Sequence, residues 1–368
     1  MQFIGVTTQN WPKKRIPAPS FATPFDSAGP TSTKSRPEPD RGPACNGDRY
    51  EKGGTRMRVL VTGGSGNVGH FVIDELYRRG HQVVNADVVR PGTGDGARAK
   101  AFAAMRQSWP AQPQFFTVDV TDYGQVISAM GQCDAVIALA ARPSNANYTE
   151  EDVLVTNTAS MWNICRAAEQ LQIRPVVLGS SYNAVGAMGT AVRWQPRQVK
   201  APEYFPLDEN VYTRSEEAYS ISKWLGEEIG QAFARRSPWM SIASMRFNGM
   251  WNDARFRALS AAPITDVWER CQGFWTYLHI KDAATACALS IESENWTGHQ
   301  RFFLNADDTM IDIPTMDAIA QVYPDVPVRE PLEGFSAPLT TANTKQVLGW
   351  APKYSWRDEE FKPGAQGH

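Results

Sequence analysis

A short apolar segment followed by three spaced glycines is the feature that most restricts how this chain can fold. Residues 58–62, Arg-Val-Leu-Val-Thr, have the aliphatic and β-branched composition of a buried strand. Gly63, Gly66 and Gly69 follow, and an amphipathic helix is predicted over residues 70–79. In such a unit, one glycine makes the tight turn, one lets a pyrophosphate approach the backbone, and one lets helix and strand pack closely. Free N–H groups at the helix start would hold the phosphate, so the segment predicts a dinucleotide site.

An acidic residue at the end of the next strand indicates which dinucleotide would bind. The second predicted strand, residues 82–86, leads into Asp87, which lies 24 positions after Gly63. A carboxylate there accepts hydrogen bonds from the adenosine ribose hydroxyls and repels a 2′-phosphate. The sequence therefore predicts NAD as the cofactor, although Arg90 lies close enough to leave NADP open.

Strands and helices continue to alternate after this unit. Regular βα alternation predicts a parallel sheet covered by helices on both faces, which is an α/β, Rossmann-type, doubly wound fold. The further predicted elements are strand 115–118, helix 122–130, strand 134–141, helix 150–171 and strand 175–180.

Tyr219 and Lys223 are the residues predicted to carry the chemistry. Four positions apart on a helix, they share one face. A free tyrosine has a pKa of about 10, and a nearby ammonium is expected to lower it, so Tyr219 could take a proton from a substrate hydroxyl. The spacing recurs at Tyr277 and Lys281, so the pattern alone does not identify the site.

Position along the chain separates the two Tyr-Lys pairs. Tyr219 opens a predicted helix and follows Ser180 and Ser181, which come at the carboxyl end of the fifth strand. Ligands of parallel sheets bind at that end. Tyr277 lies instead in an apolar run late in the chain, which favours Tyr219 as the acid/base.

From about residue 58 to residue 356, these motifs resemble the extended short-chain dehydrogenase/reductase superfamily, in its NAD-dependent epimerase/dehydratase branch. The resemblance rests on the glycine motif, the Tyr219 and Lys223 pair, and several short motifs in family order. Those motifs are Asp87, Asp119-Val120, Ala140-Ala141, Asn157, Ser180-Ser181, Gly186, Arg246-Phe247-Asn248 and Tyr277-Leu278-His279-Ile280-Lys281-Asp282.

The resemblance implies roles for individual residues. Ser181, Tyr219 and Lys223 would be catalytic, with Ser181 bonded to the substrate oxygen and Lys223 also bound to the nicotinamide ribose. Asp119 would hold the adenine, unless it caps the following helix, and Asn157 could be an ordinary helix residue. His279, on an apolar run, is expected to be structural. The implied cofactor-binding residues are Gly63, Gly66, Asn67, Val68, Gly69, Asp87, Asp119, Val120, Ala140, Ala141, Asn157, Tyr219, Lys223, Arg246 and Asn248.

Departures from the family pattern restrict the class of substrate that is expected. Tyr182 and Asn183 stand where dehydratases have an Asp-Glu pair, which disfavours dehydration. Trp275-Thr276 replaces the frequent Arg-Asp, although a diphosphate needs cationic partners. The segment that grips the nucleotide in nucleotide-sugar epimerases is only 28 residues long here, residues 249–276. A small substrate without a nucleotide is therefore expected, although Arg255, Arg257 and Arg270 could replace the missing cation.

Composition excludes several other classes of protein. Hydrophobic residues make up 42% of the chain and the net charge is −2, which gives no electrostatic case for nucleic acid. No apolar run approaches the roughly 18 residues of a membrane span. Five scattered cysteines without a CxxC pair predict reduced thiols in a cytoplasmic protein, and the five histidines suggest no metal site.

Three regions are predicted along the chain. Residues 1–56 hold eight prolines, with nine Lys or Arg against five Asp or Glu, and are expected to be a disordered extension, with a transit peptide or translation from Met57 as alternatives. Residues 57–248 would form the NAD-binding Rossmann domain. Residues 249–368 would form a small α/β substrate-binding region, with residues 276–306 completing the sheet. Between Ser181 and Tyr219, a long loop with Arg193, Trp194, Arg197 and Tyr204 could form a lid.

The leading functional prediction is an NAD-dependent oxidoreductase that acts on a small sugar, uronic acid or other hydroxy or keto compound. The alternatives are an NAD-dependent sugar epimerase that retains its cofactor and a non-enzymatic NAD-binding regulatory protein. By the resemblance, helices 150–171 and 215–236 would pair two subunits, so a homodimer is expected.

Overall fold

The order of the strands determines where a ligand can bind. This computed structural model describes residues 56–92, 97–143, 147–186 and 199–365. Seven strands form one parallel sheet in the order β3-β2-β1-β4-β5-β6-β9. They are β1 Arg58–Thr62, β2 Gln82–Asp87, β3 Gln114–Thr117, β4 Ala135–Ala138, β5 Pro175–Ser181, β6 Ser241–Phe247 and β9 Gly298–Leu304. The doubly wound Rossmann-type prediction is confirmed, and the order reverses between β1 and β4, where such sheets bind ligands.

Helices cover both faces of this sheet. Those around it are α1 Asn67–Arg78, α2 Ala97–Gln107, α3 Tyr123–Met130, α4 Glu150–Gln170, α5 Ala218–Arg236 and α7 Ile280–Glu292. Side chains alternate along β1, so Val59 and Val61 pack with α1 and α7, whereas Leu60 packs with α3, α4 and α5. This alternation builds two separate apolar layers on the sheet.

The C-terminal part adds small elements and a third apolar cluster. These elements are the paired strands β7 Met250–Trp251 and β8 Leu278–His279, and helices α6 Asp253–Ala261, α8 Thr315–Val322 and α9 Ala342–Leu348. Phe205 and Leu207, from the earlier part of the chain, pack into this cluster with Tyr277. From this part of the chain, β9 pairs with β6 and completes the main sheet. The domain boundary at residue 248 stays a prediction.

One short segment near the C-terminus reaches two of these clusters. Trp350 is buried in the layer of α1 and α7, and its indole donates to the carbonyl of Asp282. Trp356, six residues later, is buried in the C-terminal cluster, where its indole donates to the carbonyl of Thr309. Residues 350–356 therefore connect both regions.

The predicted extension lies outside the described residues, except for its last residue, Arg56. So do Cys45 and the lid residues Arg193, Trp194 and Arg197. Cys133, Cys165, Cys271 and Cys287 carry free, buried thiols. Among the helices of the described ranges, none is long and apolar enough to span a bilayer.

Asp282 gives the fold a pH dependence that can be tested. Its carboxylate accepts hydrogen bonds from the N–H groups of Lys353 and Tyr354, but burial disfavours its charged form and raises its pKa to about 6. Above an unfolded pKa of about 3.9, the folded chain holds a proton that the unfolded chain has lost. This carboxyl therefore makes the free energy of unfolding fall as the pH rises from about 4 to 6.

Asp282→Asn keeps an oxygen acceptor but cannot ionise. We expect its free energy of unfolding, relative to the unchanged protein, to rise by about 2 to 3 kcal/mol between pH 4 and 6. Urea unfolding at a series of pH values measures this difference. Asp325→Asn, at an exposed position, is the control and should give a flat difference. A difference that is equally flat for Asp282→Asn would contradict the assignment.

Candidate active site

The glycine-rich loop lies between the ends of β1 and β4. Gly63 has a φ of 71° and donates its N–H to the carbonyl of Ala86. A Cβ at Gly63 would lie 2.6 Å from the nitrogen of Ala140, and one at Gly69 would lie 2.5 Å from the Cα of Gly64. Both glycines are therefore required by the close approach of backbone segments.

The start of α1 is open to a ligand. Gly66 is the N-cap residue and offers no side chain to the N–H groups of the first turn. Gly66 and Asn67 are exposed, and Val68 is partly exposed. The helix begins three residues earlier than predicted, inside the glycine motif. An uncapped helix start beside a glycine turn fits the pyrophosphate of a dinucleotide.

Asp87 ends β2 directly beside this loop. Its Oδ2 accepts from the N–H of Ser65 at 3.0 Å, and its Oδ1 accepts from the N–H of Val89 at 3.1 Å. A carboxylate has about four lone-pair sites, so acceptor capacity remains for ribose hydroxyls. The backbone bonds fix the carboxylate at the loop, in the position predicted for ribose recognition.

Two residues that the sequence analysis did not identify support the loop. Arg106 Nη1 donates to His70 Nε2 at 3.2 Å, so the ring proton is on Nδ1, which lies 2.8 Å from the carbonyl of Gly66. The spacing of four residues between Gly66 and His70 could have revealed the first contact. Arg106 lies on α2, a helix that was not predicted.

The residues expected around the adenine and after β4 differ in how far they are exposed. Asp119 is exposed and accepts from the N–H and hydroxyl of Thr121, which lowers the pKa of its carboxyl. The N-cap of α3 is Asp122, so Asp119 does not have that role. Val120 is buried, and Ala140 and Ala141 are partly buried just beyond β4.

Asn157 connects the segment after β4 to the helix of Tyr219. It is fully buried on α4, and its Oδ1 accepts from the N–H of Arg142. Its Nδ2 donates to the carbonyl of Arg142 and to the hydroxyl of Ser222 on α5. Asn157 is thus bonded within the protein on both sides of its amide.

Ser181, Tyr219 and Lys223 meet where β5 ends and α5 begins. The Ser181 hydroxyl hydrogen-bonds to the Tyr219 phenol. Lys223 Nζ donates to the carbonyl of Gly179 at 2.6 Å and lies 5.5 Å from the centre of the Tyr219 ring. Glu217, the N-cap of α5, accepts from the N–H of Tyr219 and so fixes the first turn. The arrangement places a hydroxyl, a phenol and an ammonium at one position.

Burial dominates the proton affinities of this group. It raises the pKa of Tyr219 to about 12, a rise that the Ser181 hydrogen bond opposes and the Glu217 charge reinforces. It also lowers the pKa of Lys223 to about 8. The expected lowering of the Tyr219 pKa is therefore not found among these side chains, because burial raises this pKa more than the Ser181 hydrogen bond lowers it.

The second Tyr-Lys pair is divided between the C-terminal core, which holds Tyr277, and the surface, where Lys281 is exposed. Tyr277 is fully buried, and its hydroxyl donates to Asp308. Lys281 pairs instead with Asp253, which also contacts the buried ring of His279 at 2.9 Å. These contacts give Tyr277 and His279 structural surroundings, as position along the chain predicted.

Trp275 and Thr276, which replace the frequent Arg-Asp of the family pattern, are placed in the core. Trp275 is fully buried, and its indole donates to the carbonyl of Val267. Thr276 accepts from the amide of Asn248 at 2.5 Å and donates to the carbonyl of Gly273. Neither Trp275 nor Thr276 presents a cation to a ligand.

The three arginines considered as replacements are dispersed. Arg255 lies over the ring of Trp251, and Arg257 donates to the carbonyl of Glu360. Arg270 is exposed, and its charge opposes the rise that burial causes in the pKa of the Tyr182 phenol. Of the three, Arg270 is the one connected to the residues around Tyr219.

Arg246, expected to bind the cofactor, is almost completely buried and engages the protein. Its Nε and Nη2 both donate to the carboxylate of Glu227 at 2.9 Å. Its Nη1 donates to the carbonyl of Glu209. Asn248 is likewise bonded internally, to Thr276 and to the N–H of Gly249. The sequence analysis did not identify Glu227, although it lies one helical turn beyond Lys223.

Comparisons with known proteins give a family and a fold. The model of the NAD dependent epimerase/dehydratase family matches residues 59–303. A UDP-glucose 4-epimerase from Corynebacterium glutamicum is 23% identical over 326 residues, 81% of this chain and 92% of that protein. A putative UDP-glucose 4-epimerase from Methanocaldococcus jannaschii is 25% identical over 53% of this chain, a match that spans only 56% of that protein. The fold is similar to that of a UDP-glucose 4-epimerase from Bifidobacterium longum in complex with NAD+ and UDP, with a TM-score of 0.59, 17% identity, and coverage of 82% and 95% of the two chains.

Proposed function

Because the chain belongs to the NAD-dependent epimerase/dehydratase family, we propose that it is an NAD-dependent oxidoreductase that acts on a small sugar, uronic acid or other hydroxy or keto compound. NAD is the cofactor, as the glycine motif and Asp87 predicted. The observation that carries the proposal is the meeting of Ser181, Tyr219 and Lys223 at the carboxyl end of β5, in the sheet whose β1 carries the glycine-rich loop.

Each residue at this position has a distinct role in the proposal. Bound NAD supplies a two-electron acceptor and a cationic nicotinamide ring. Ser181 binds the substrate oxygen and orients it toward the phenol. Tyr219 exchanges a proton with that oxygen, and the Lys223 ammonium stabilises the phenolate electrostatically. Because burial raises the pKa of Tyr219 to about 12, this phenolate needs further positive charge nearby.

A nucleotide-free substrate is supported by the surroundings of the Trp275-Thr276 pair. In the family pattern this position frequently holds an Arg-Asp pair, but here the Trp275 side chain is fully buried and Thr276 is hydrogen-bonded within the core. A diphosphate would lack that cation. Tyr182 and Asn183 contribute no carboxylate beside Ser181, which argues against dehydration.

The second candidate is an epimerase that keeps NAD bound throughout its cycle. The relatives named above favour this candidate, because they are UDP-glucose 4-epimerases. Ser181, Tyr219 and Lys223 would serve either reaction. We would denature the purified full chain and measure how much nicotinamide cofactor it releases. Near-stoichiometric NAD that survives dialysis supports the epimerase, whereas reversible binding of added NAD supports the dehydrogenase. A panel of small sugars, sugar acids and hydroxy acids is then tested for NADH formation.

A homodimer through α4 and α5 is also proposed. Val155 and Trp162, seven residues apart on α4, are 62% and 44% exposed, although Trp162 packs edge-on against Phe233 of α5. Apolar side chains of this size on one helix face suggest a partner surface. A second copy of the chain is the partner that we propose, because a symmetric pair would cover Val155 and Trp162 on both subunits.

Light scattering should therefore give twice the chain mass of 40.8 kDa. Trp162→Glu should shift the protein to a monomer, because a carboxylate would be buried in the interface. Tyr212→Glu changes an aromatic residue that is 70% exposed elsewhere and should leave the mass unchanged. A monomeric unchanged protein would contradict the proposal.

A further inference from the structure

A completely buried carboxylate lies one helical turn beyond Lys223 of the proposed catalytic group. Glu227 is completely buried on α5, four residues after Lys223. Its Oε1 accepts from the Ser180 hydroxyl at 2.7 Å and from Arg246 Nε at 2.9 Å. Its Oε2 accepts from Arg246 Nη2 at 2.9 Å and from Arg301 Nε at 2.8 Å. One side chain of α5 is thus bonded to β5, β6 and β9.

These contacts fix how α5 lies along β5. Lys223 bonds to the carbonyl of Gly179, and one helical turn later Glu227 bonds to the hydroxyl of Ser180. Consecutive strand residues are therefore held by helix residues one turn apart. The next strand residue is Ser181, whose hydroxyl bonds to the Tyr219 phenol at the start of α5. A shift of the helix along the strand would break all three contacts.

The same contacts balance the charge of Glu227, which lies one helical turn from Lys223. Burial would raise the pKa of Glu227, but the two guanidinium groups and the Ser180 hydroxyl hold it below its usual range, so the carboxylate is ionised. Arg246 is almost completely buried, and within the described ranges its one ion pair is with Glu227. Arg301 also pairs with Glu228, which is 45% exposed at the surface.

We propose that Glu227, held by Arg246 and Arg301, is a positioning residue that sets the register of α5 on β5 and supplies the negative charge that balances the field at Lys223. This inference rests on the proposed function of Tyr219 and Lys223. Arg246, which the family resemblance assigned to the cofactor, is part of this network. Removing the carboxylate or the guanidinium breaks the same ion pair but changes the field at Lys223 in opposite directions.

The test follows the ionisation of Lys223 in the full chain. Protein labelled with 13C at the lysine Cε is titrated by NMR, and the Lys223 resonance is identified by its loss in Lys223→Arg. Glu227→Gln should lower the titration midpoint by about one pH unit, because an uncompensated guanidinium disfavours the ammonium. Arg246→Met should raise the midpoint, because it leaves an uncompensated carboxylate. Glu151→Gln, at an exposed position on α4, is the control and should leave the midpoint unchanged.

Shifts of the Lys223 midpoint in opposite directions in the two variants support the proposal, because a purely structural role predicts shifts in the same direction. If either change merely loosened the core, water would enter and both midpoints would rise toward that of a free lysine. Shifts in the same direction, or no shift, overturn the proposal. If Arg246→Met does not fold, Arg301→Gln replaces it, since this change at a partly exposed residue removes one positive charge and should raise the midpoint. If Glu227→Gln does not fold, Glu209→Gln replaces it, since this change removes another carboxylate that interacts with Arg246 and should lower the midpoint. Failure of the proposed function can be distinguished from failure of this inference. It would appear as full turnover in Tyr219→Phe, whichever way the Lys223 midpoint shifts.

Discussion

Replacing Tyr219 by phenylalanine should lower kcat by a factor of about 10² to 10⁴, with the Kd for NAD changed less than about threefold. The substitution removes only the phenolic oxygen, which is the group proposed to exchange a proton with the substrate. The ring would remain in place, because Glu217 holds the Tyr219 backbone and not its hydroxyl. The measurement is steady-state turnover on the best substrate of the panel, with calorimetric titration of NAD.

The control for this change is another tyrosine of the same chain. Tyr212, which is 70% exposed seven residues upstream, gives a Tyr212→Phe protein that should retain full turnover. Full turnover in Tyr219→Phe would remove the proposed mechanism. A loss of NAD binding in Tyr219→Phe would show that the phenol supports the fold of the site and not the proton transfer.

Gly69→Ala is expected to destabilise the chain by about 3 kcal/mol and to abolish NAD binding. The added Cβ would lie 2.5 Å from the Cα of Gly64 and closer still to the carbonyl of Gly63. Both neighbours are backbone atoms of the tight turn, so no side chain can move aside. Relief requires α1 to move away from β1, which displaces the N–H groups that would hold the pyrophosphate.

Gly66→Ala is the matched control within the same loop. Its Cβ would meet only the carbonyl of Gly63, at 3.0 Å, and the position is exposed. The thermal unfolding temperature should stay close to that of the unchanged protein, while the Kd for NAD rises because the methyl group faces the pyrophosphate. Equal losses of stability in both variants would contradict the distinction between a packing glycine and a binding glycine.

Much of the fold could be predicted because its signals are local. The strand before Gly63 and the acid that ends β2 are recognisable from composition and spacing alone. The helix Ala97–Gln107 was not predicted because most of its apolar residues are alanines, and its two larger apolar side chains, Phe102 and Met105, do not by themselves mark a helix face. Its packing comes from tertiary contacts such as Phe102 stacked on His70, with ring centres 3.8 Å apart.

The part of the candidate site that could be predicted is the part that depends on helical spacing. Tyr219 and Lys223 are brought together by one turn of α5, so their proximity follows from the sequence. The sign of the Tyr219 pKa shift does not, because it depends on how much water the surrounding strands exclude. The pairing of Arg246 with Glu227 joins β6 to α5 across 19 residues, and spacing offers no way to choose that partner.

Residues 350–356, which place Trp350 in one apolar cluster and Trp356 in another, have a consequence for folding cooperativity. Neither cluster can open without withdrawing one of these indoles and straining the short segment between them. Unfolding of the sheet layer and of the C-terminal cluster should therefore be coupled into a single calorimetric transition. A chain cut just before Trp350 would lose both indoles at once and unfold in a broader transition, at a lower temperature.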